Sequence, residues 1–189
     1  IIYMLFEDYL GWPKTKVHLS YDSAIPEATL TLFTHALIEL RSGKPIQYIL
    51  GKAWFNGILL TVDARVLVPR PETEELCALI GTSLGVNPDL DLSILDIGTG
   101  SGCIAIDLKK RFPNANVTGI DSSRGALEIA LKNARENNCE IDFIQSDILN
   151  IKDRGKLGQF KVIVSNPPYV VESEKKLMKP NVAAFEPPQ

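Results

Sequence analysis

Apolar side chains recur at helical spacing through the first fifty residues. Ile2, Leu5, Phe6, Tyr9 and Leu10 fall on one face of a 3.6-residue period. Leu30, Phe33, Leu37 and Leu40 repeat the stripe behind Pro26-Glu27, and Gly43 and Pro45 stop it. Near Gly51 the pattern changes. Trp54-Phe55 and Ile58-Leu59-Leu60 flank Asn56-Gly57, a dipeptide that takes positive φ readily and so predicts a tight hairpin. A second extended run, Arg65–Val68, leads into Pro69-Arg70-Pro71-Glu72-Thr73-Glu74-Glu75. Proline followed by carboxylates suits a first helical turn, because proline has no N–H to leave unpaired and anions suit the positive helix end.

From Leu92 the rhythm is strand, helix, strand. Strands are expected at Ser93–Ile97, at Val117–Ile120 ending in Asp121, at Ile141–Ile144 ahead of Asp147, and at Phe160–Val164. Helices are expected at Cys103–Phe112 and at Ala126–Asn137, the latter burying Leu127, Ala130, Leu131 and Ala134. Alternating units with nearly all-apolar strands imply an α/β fold, a parallel sheet covered on both faces with strand order 3-2-1-4. The chain thus divides into a helical unit (1–50), a β-hairpin linker (51–70) and an α/β unit (71–189).

Composition narrows the classes of function. The 189 residues are 45% hydrophobic, but the longest apolar runs, such as Ile1–Phe6, are far shorter than the ~18 residues of a bilayer span. With 20 basic and 23 acidic side chains and no basic stripe, direct nucleic-acid binding is not expected. Cys77, Cys103 and Cys139 form neither a disulfide framework nor a metal pair, which points to a reducing compartment and no metal site. No signal-peptide-like leader is present, and Ile1 and Phe185-Glu186-Pro187-Pro188-Gln189 read as the ends of a fragment.

Three motifs carry chemistry. Asp96-Ile97-Gly98-Thr99-Gly100-Ser101-Gly102 lies between a strand and a helix, where glycines let a ligand lie against the backbone and the helix N-terminus. A dinucleotide loop would require glycine at Cys103. The spacing instead resembles the nucleoside loop of Rossmann-like S-adenosylmethionine (SAM) methyltransferases. Asp121, at the end of the next strand, is placed to accept from ribose hydroxyls, though Asp121-Ser122-Ser123 also reads as a helix cap. Asp147 has the corresponding place near an adenine, or is a loop cap. The third motif is Asn166-Pro167-Pro168-Tyr169, beside the switch point of the sheet. The Asn166 side-chain oxygen and the Pro167 carbonyl offer two acceptors for a planar NH₂ group, the paired prolines stiffen the backbone, and the Tyr169 ring can stack on the group that bears the NH₂. An amide nitrogen is a poor nucleophile, so positioning and preorganised dipoles would supply most of the acceleration. His18, His35 and Cys103 read as surface or packing residues.

Together these residues resemble the release-factor glutamine N5-methyltransferases (PrmC/HemK). Gly43-x-Pro45-x-x-Tyr48-Ile49-x-Gly51, Phe55-x-Gly57 and Val66-Leu67-Val68-Pro69-Arg70-Pro71-Glu72-Thr73-Glu74 resemble that family's linker and hairpin. Asp96–Gly102, Asp121, Ser146-Asp147, Asn166–Tyr169, then Asn181-Val182 and Glu186-Pro187, follow in the family's order. The resemblance implies a cytoplasmic enzyme that transfers a methyl group from SAM to the Gly-Gly-Gln glutamine of class 1 peptide-chain release factors. It implies cofactor contacts at Asp96, Ile97, Gly98, Thr99, Gly100, Asp121, Asp147, Ile148 and Asn166. It implies catalysis by Asn166, Pro167 and Tyr169, with Pro168 joining them against the substrate amide. The helical unit would help recognise the release factor, and a complete member would continue the sheet beyond Pro187, leaving the Phe160–Val164 strand with an unpaired edge here. Three other readings stay open on the residues alone: a ribosomal-protein glutamine methyltransferase, an adenine-N6 methyltransferase, and a fragment that binds SAM or a release factor without turnover.

Overall fold

A computed structural model describes residues 1–85, 91–150, 157–167, 185 and 187. Helices α1 (Ile2–Leu10), α2 (Lys14–Leu19), α3 (Glu27–Arg41) and α4 (Ile46–Leu50) form the first unit. Leu5, Phe33, Ala36 and Ile46 make its core, with Phe6, Tyr9 and Leu40 packed around them. The α3 stripe differs from the sequence expectation, since Leu30 and Leu37 are 53% and 51% exposed. Phe33 sets the rotation of the helix by inserting between Phe6 and Tyr9, with ring centroids at 4.8 and 5.4 Å. The small Ala36 then faces inward one turn later.

Strands β1 (Lys52–Phe55) and β2 (Ile58–Thr61) form the expected antiparallel hairpin, with Asn56 and Gly57 at φ 46° and 75°. Ala53, Phe55, Ile58 and Leu60 face inward, and Trp54 faces out. The run Arg65–Val68 is not a strand. Asp63 organises a turn there, its side chain accepting from the Arg65 N–H at 2.9 Å and its carbonyl from the Val66 N–H at 3.1 Å. Val66 and Val68 are both buried, and that alternation is what the sequence pattern registered. The Tyr48 hydroxyl donates to the Val66 carbonyl at 2.7 Å, and Tyr48, Ala53, Val62, Val66, Val68, Ala126 and Ile129 form a core joining α4 and the hairpin to the helix that carries Ala126 and Ile129.

The α/β unit runs α5 (Pro71–Leu84), β3 (Ser93–Ile97), α6 (Cys103–Arg111), β4 (Asn116–Asp121), α7 (Arg124–Glu136), β5 (Asp142–Gln145) and β6 (Val162–Ser165). Its four strands are parallel in the order β5-β4-β3-β6, the Rossmann-like arrangement expected. The register aligns Ile94 with Val117 and Val162, and Gly119 with Phe143. These residues share a face, and Leu76, Cys77, Ile104, Ala105, Leu108 and Ala134 from α5, α6 and α7 pack on it. On the other face the central strands are covered, Leu95 and Ile120 being 3% and 1% exposed, whereas Ile144 and Ile163 on the flanking strands are 43% and 63% exposed. The buried stripe of α7 is also shifted to Ala126, Ile129, Ala130, Asn133 and Ala134, with Leu131 exposed, because the helix packs against the hairpin as well as the sheet. Among the described residues, no helix is long and apolar enough to cross a membrane.

Candidate cofactor and amide-binding site

The glycine loop is held in place by the end of β4. The Ile120 carbonyl accepts from the N–H groups of both Gly98 and Thr99 at 2.9 Å. Gly98 has φ 71°, and a Cβ built there would meet nothing within 4 Å, so the chain is open on the side where a ligand would lie. Gly102 serves packing instead, because its Cβ would stand 3.2 Å from that of Ala130 and force α6 away from α7.

Two carboxylates flank the loop in opposite ways. Asp96 is fully buried beneath it, accepting the Thr99 hydroxyl on Oδ2 at 2.7 Å, while Oδ1 has no hydrogen-bond partner. Burial pushes its pKa up to about 6. The Thr99 hydroxyl and the Ala105 amide oppose that rise, and the nearby Asp121 charge adds to it. Asp121 is half-buried at the rim. Its Oδ2 accepts from the Gly100 N–H at 3.0 Å and its Oδ1 from the Ser123 N–H at 2.9 Å. It therefore ties the loop to the start of α7, while Ser123 caps that helix by accepting from the Ala126 N–H. The helix start expected at Asp121-Ser122-Ser123 is found, with Ser123 as its cap and Asp121 bonded to the Ser123 N–H.

Beyond Asp121, a cavity of about 290 Å³ opens at the ends of β4 and β5, lined by Ser122, Gln145, Ser146 and Asp147. The Gln145 side chain donates to the Ser122 carbonyl at 3.0 Å, and the Ser146 hydroxyl is buried without a partner. Asp147 is exposed, its Oδ1 accepting from the Leu149 N–H at 2.9 Å, and Ile148 is half-buried beside it. Among the described residues, no group of three His, Cys, Asp or Glu side chains could hold a metal ion.

Asn166 follows β6, the strand beside the glycine loop. The Ser165 hydroxyl donates to the Ile97 carbonyl at 2.8 Å and fastens the two strand ends together. The Asn166 Nδ2 donates to the Thr73 hydroxyl oxygen at 2.9 Å. Pro167 is described, whereas Pro168, Tyr169, Asn181, Val182 and Glu186 lie outside the described residues. Burial raises the half-buried Cys103 thiol pKa to about 12, which disfavours its thiolate. His18 and His35 are exposed in the helical unit, His18 beside the Tyr3 and Tyr21 hydroxyls.

Two residues escaped the sequence reading. Thr73 lies inside the Arg70–Glu74 segment, which reads equally well as a helix start. Asn133 is fully buried and binds both the N–H (2.7 Å) and the carbonyl (2.9 Å) of Thr61, together with the Ser101 carbonyl (2.8 Å). Its signal was a polar residue between Ala130 and Ala134 on an otherwise apolar face.

The chain is 44% identical over 186 residues to the release factor glutamine methyltransferase of Flavobacterium psychrophilum, covering 98% of this chain and 65% of that protein. To the enzyme of the same name from Chlorobaculum tepidum it is 39% identical, covering 97% of this chain and 65% of the relative. The chain thus spans about two-thirds of these relatives' length. A SAM-dependent methyltransferase from Agrobacterium tumefaciens has a similar fold, with TM-score 0.51 and 20% identity over 62% of this chain and 39% of that one. Residues 1–51 match the PrmC N-terminal domain. Residues 79–183 match the methyltransferase small domain, and the chain belongs to that family.

Proposed function

We propose that the protein methylates the side-chain amide nitrogen of the Gly-Gly-Gln glutamine in class 1 release factors, using SAM. The observation that carries this reading is the Asn166 amide, held by its donor end at the tip of the strand beside the glycine loop. That arrangement presents Oδ1 as an acceptor, and the Pro167 carbonyl supplies a second. The names of the relatives favour glutamine as the bearer of the NH₂.

The residues present suit the cofactor. Gly98 and Gly100 would lie under it, Asp121 would accept from its ribose, and the cavity with its unpartnered Ser146 hydroxyl would take the adenine edge beside Asp147 and Ile148. Asp96 and Thr99 support the loop from below, and Ile97 links it to β6. Bound SAM supplies an electrophilic methyl group. The chain's own part is to hold both N–H bonds of the substrate amide, aim the nitrogen lone pair and restrain its conjugation with the carbonyl. Tyr169 and Pro168 would wall the amide plane. In this reading residues 1–50 recognise the release factor, 51–70 link, and 71–189 catalyse, in the cytoplasm and without nucleic-acid contact.

The test uses the full-length protein with methyl-labelled SAM, a release factor and its Gln→Ala variant. Label is expected on the wild-type factor alone, and label persisting on the Ala variant refutes the assignment. Asn166→Ala should largely abolish transfer while SAM affinity stays within about threefold.

A further inference from the structure

We infer that Thr73 is a positioning residue, which fixes the Asn166 side-chain amide with its oxygen toward the substrate. The inference rests on the function proposed above. An asparagine amide has a donor end and an acceptor end of nearly the same shape, and only its partners decide which end faces outward. A substrate NH₂ needs the acceptor. If the amide turned over, it would present a second donor, and the site would repel the group it must hold.

The Thr73 hydroxyl can donate as well as accept, and here it accepts from Nδ2, so the bond seats the amide with Oδ1 as the free end. Thr73 is 4% exposed, and its hydroxyl oxygen lies 2.9 Å from the Asn166 Nδ2 across a sequence separation of 93 residues. Its backbone is fixed in the first turn of α5, where the Thr73 N–H donates to the Arg70 carbonyl at 3.0 Å. Burial and two heavy atoms on Cβ leave χ1 few options, which limits where the oxygen can sit. The next residue pins the neighbouring element: the Glu74 carboxylate accepts from the Asn56 N–H at 2.8 Å and holds the hairpin tip. The first turn of α5 therefore reaches two other parts of the chain with consecutive side chains.

Ser and Ala at position 73 differ by one oxygen, which isolates the acceptor from bulk and folding. In the full-length enzyme, Thr73→Ser is expected to keep kcat within about threefold of wild type, and Thr73→Ala to lower it about 10- to 100-fold. KM for SAM should stay within twofold in both. In an Asn166→Ala background, Thr73→Ala should cost nothing further, because the two residues act as a unit. Equal kcat for the Ser and Ala variants overturns the inference. So does a raised KM for SAM at unchanged kcat, which would make Thr73 a cofactor contact, and so does an additive loss in the double variant. The Asn166 side-chain NH₂ protons give a readout independent of turnover. They should exchange slowly in the wild type and Thr73→Ser and quickly in Thr73→Ala. If wild-type enzyme transfers no label, the functional reading falls, and these protons still decide whether Thr73 holds the amide.

Discussion

Replacing Asn133 with leucine should cost about 4 kcal/mol of stability, although position 133 contacts neither proposed ligand. Leucine copies the branched outline of asparagine and removes three hydrogen bonds at once. The Ser101 carbonyl belongs to a residue only 3% exposed, so losing its donor leaves a dry acceptor, at a cost of about 2 kcal/mol. Thr61 is half-buried, and water can reach its N–H and carbonyl, so about 1 kcal/mol is assigned to each. At a urea m-value of ~2 kcal/mol per molar, the unfolding midpoint should fall by about 2 M. Asn137→Ala is the internal control. Asn137 follows the same helix as its C-cap, and its Nδ2 donates to the Leu59 carbonyl at 3.1 Å and the Asn133 carbonyl at 3.0 Å; both acceptors stay within reach of water, so the loss should cost ~1 kcal/mol. A midpoint for Asn133→Leu within 0.5 M (~1 kcal/mol) of wild type would refute the view that this side chain clamps the hairpin to the glycine loop.

Further outcomes follow from the same surroundings. The Asp96 pKa is raised from 3.8 to about 6, so the folded state holds the proton more tightly than the unfolded chain. The protonated carboxyl therefore favours folding at low pH, and that contribution, about 3 kcal/mol, is lost as pH rises from roughly 4 through 6. Asp96→Asn should flatten this segment of the stability–pH curve in denaturant titrations; an unchanged slope contradicts it. Gly119→Ala should destabilise by about 2 kcal/mol in thermal melts, since its Cβ would stand 2.8 Å from the Phe143 ring and 2.9 Å from the Thr99 hydroxyl. Stability equal to wild type would mean that Phe143 and Thr99 yield freely. Asp121→Ala should weaken SAM binding at least tenfold by calorimetry, through loss of both the rim carboxylate and the bond to the Gly100 N–H. Unchanged affinity would remove Asp121 from the site.

The elements were legible wherever local chemistry and tertiary packing agree. Asn56-Gly57 prescribes its turn in any context, and Ser93–Ile97 is apolar enough to be central in any parallel sheet. The errors fall where a partner decides. Leu30 and Phe33 are equally apolar, and only the gap between Phe6 and Tyr9 selects Phe33. Likewise α7 buries Ile129 rather than Leu131 because the hairpin, which a local pattern cannot represent, occupies one flank. Val66 and Val68 alternate like a strand, yet the Asp63 turn produces that alternation. The glycine turn and the place of Asp121 at the end of β4 were legible from spacing, because their bonds are made within one βα unit or to the next strand. Thr73 and Asn133 were not, since their partners lie 93, 72 and 32 residues away.

Those long-range bonds share a logic that the separate motifs conceal. Each one ends on a segment that cannot hold its own position: a hairpin tip at Asn56, a strand end at Thr61, a glycine loop at Ser101, a post-strand asparagine at Asn166. Each begins on a helix, α5 or α7, whose backbone is already fixed by its own hydrogen bonds and apolar face. Glycine and proline give the site close approach and stiffness but carry no polar side chain to anchor it. The anchoring must therefore come from elsewhere in the chain. Loss of one bond should then loosen the segment at its end while the sheet register, set by the buried face of β3, β4 and β6, stays intact.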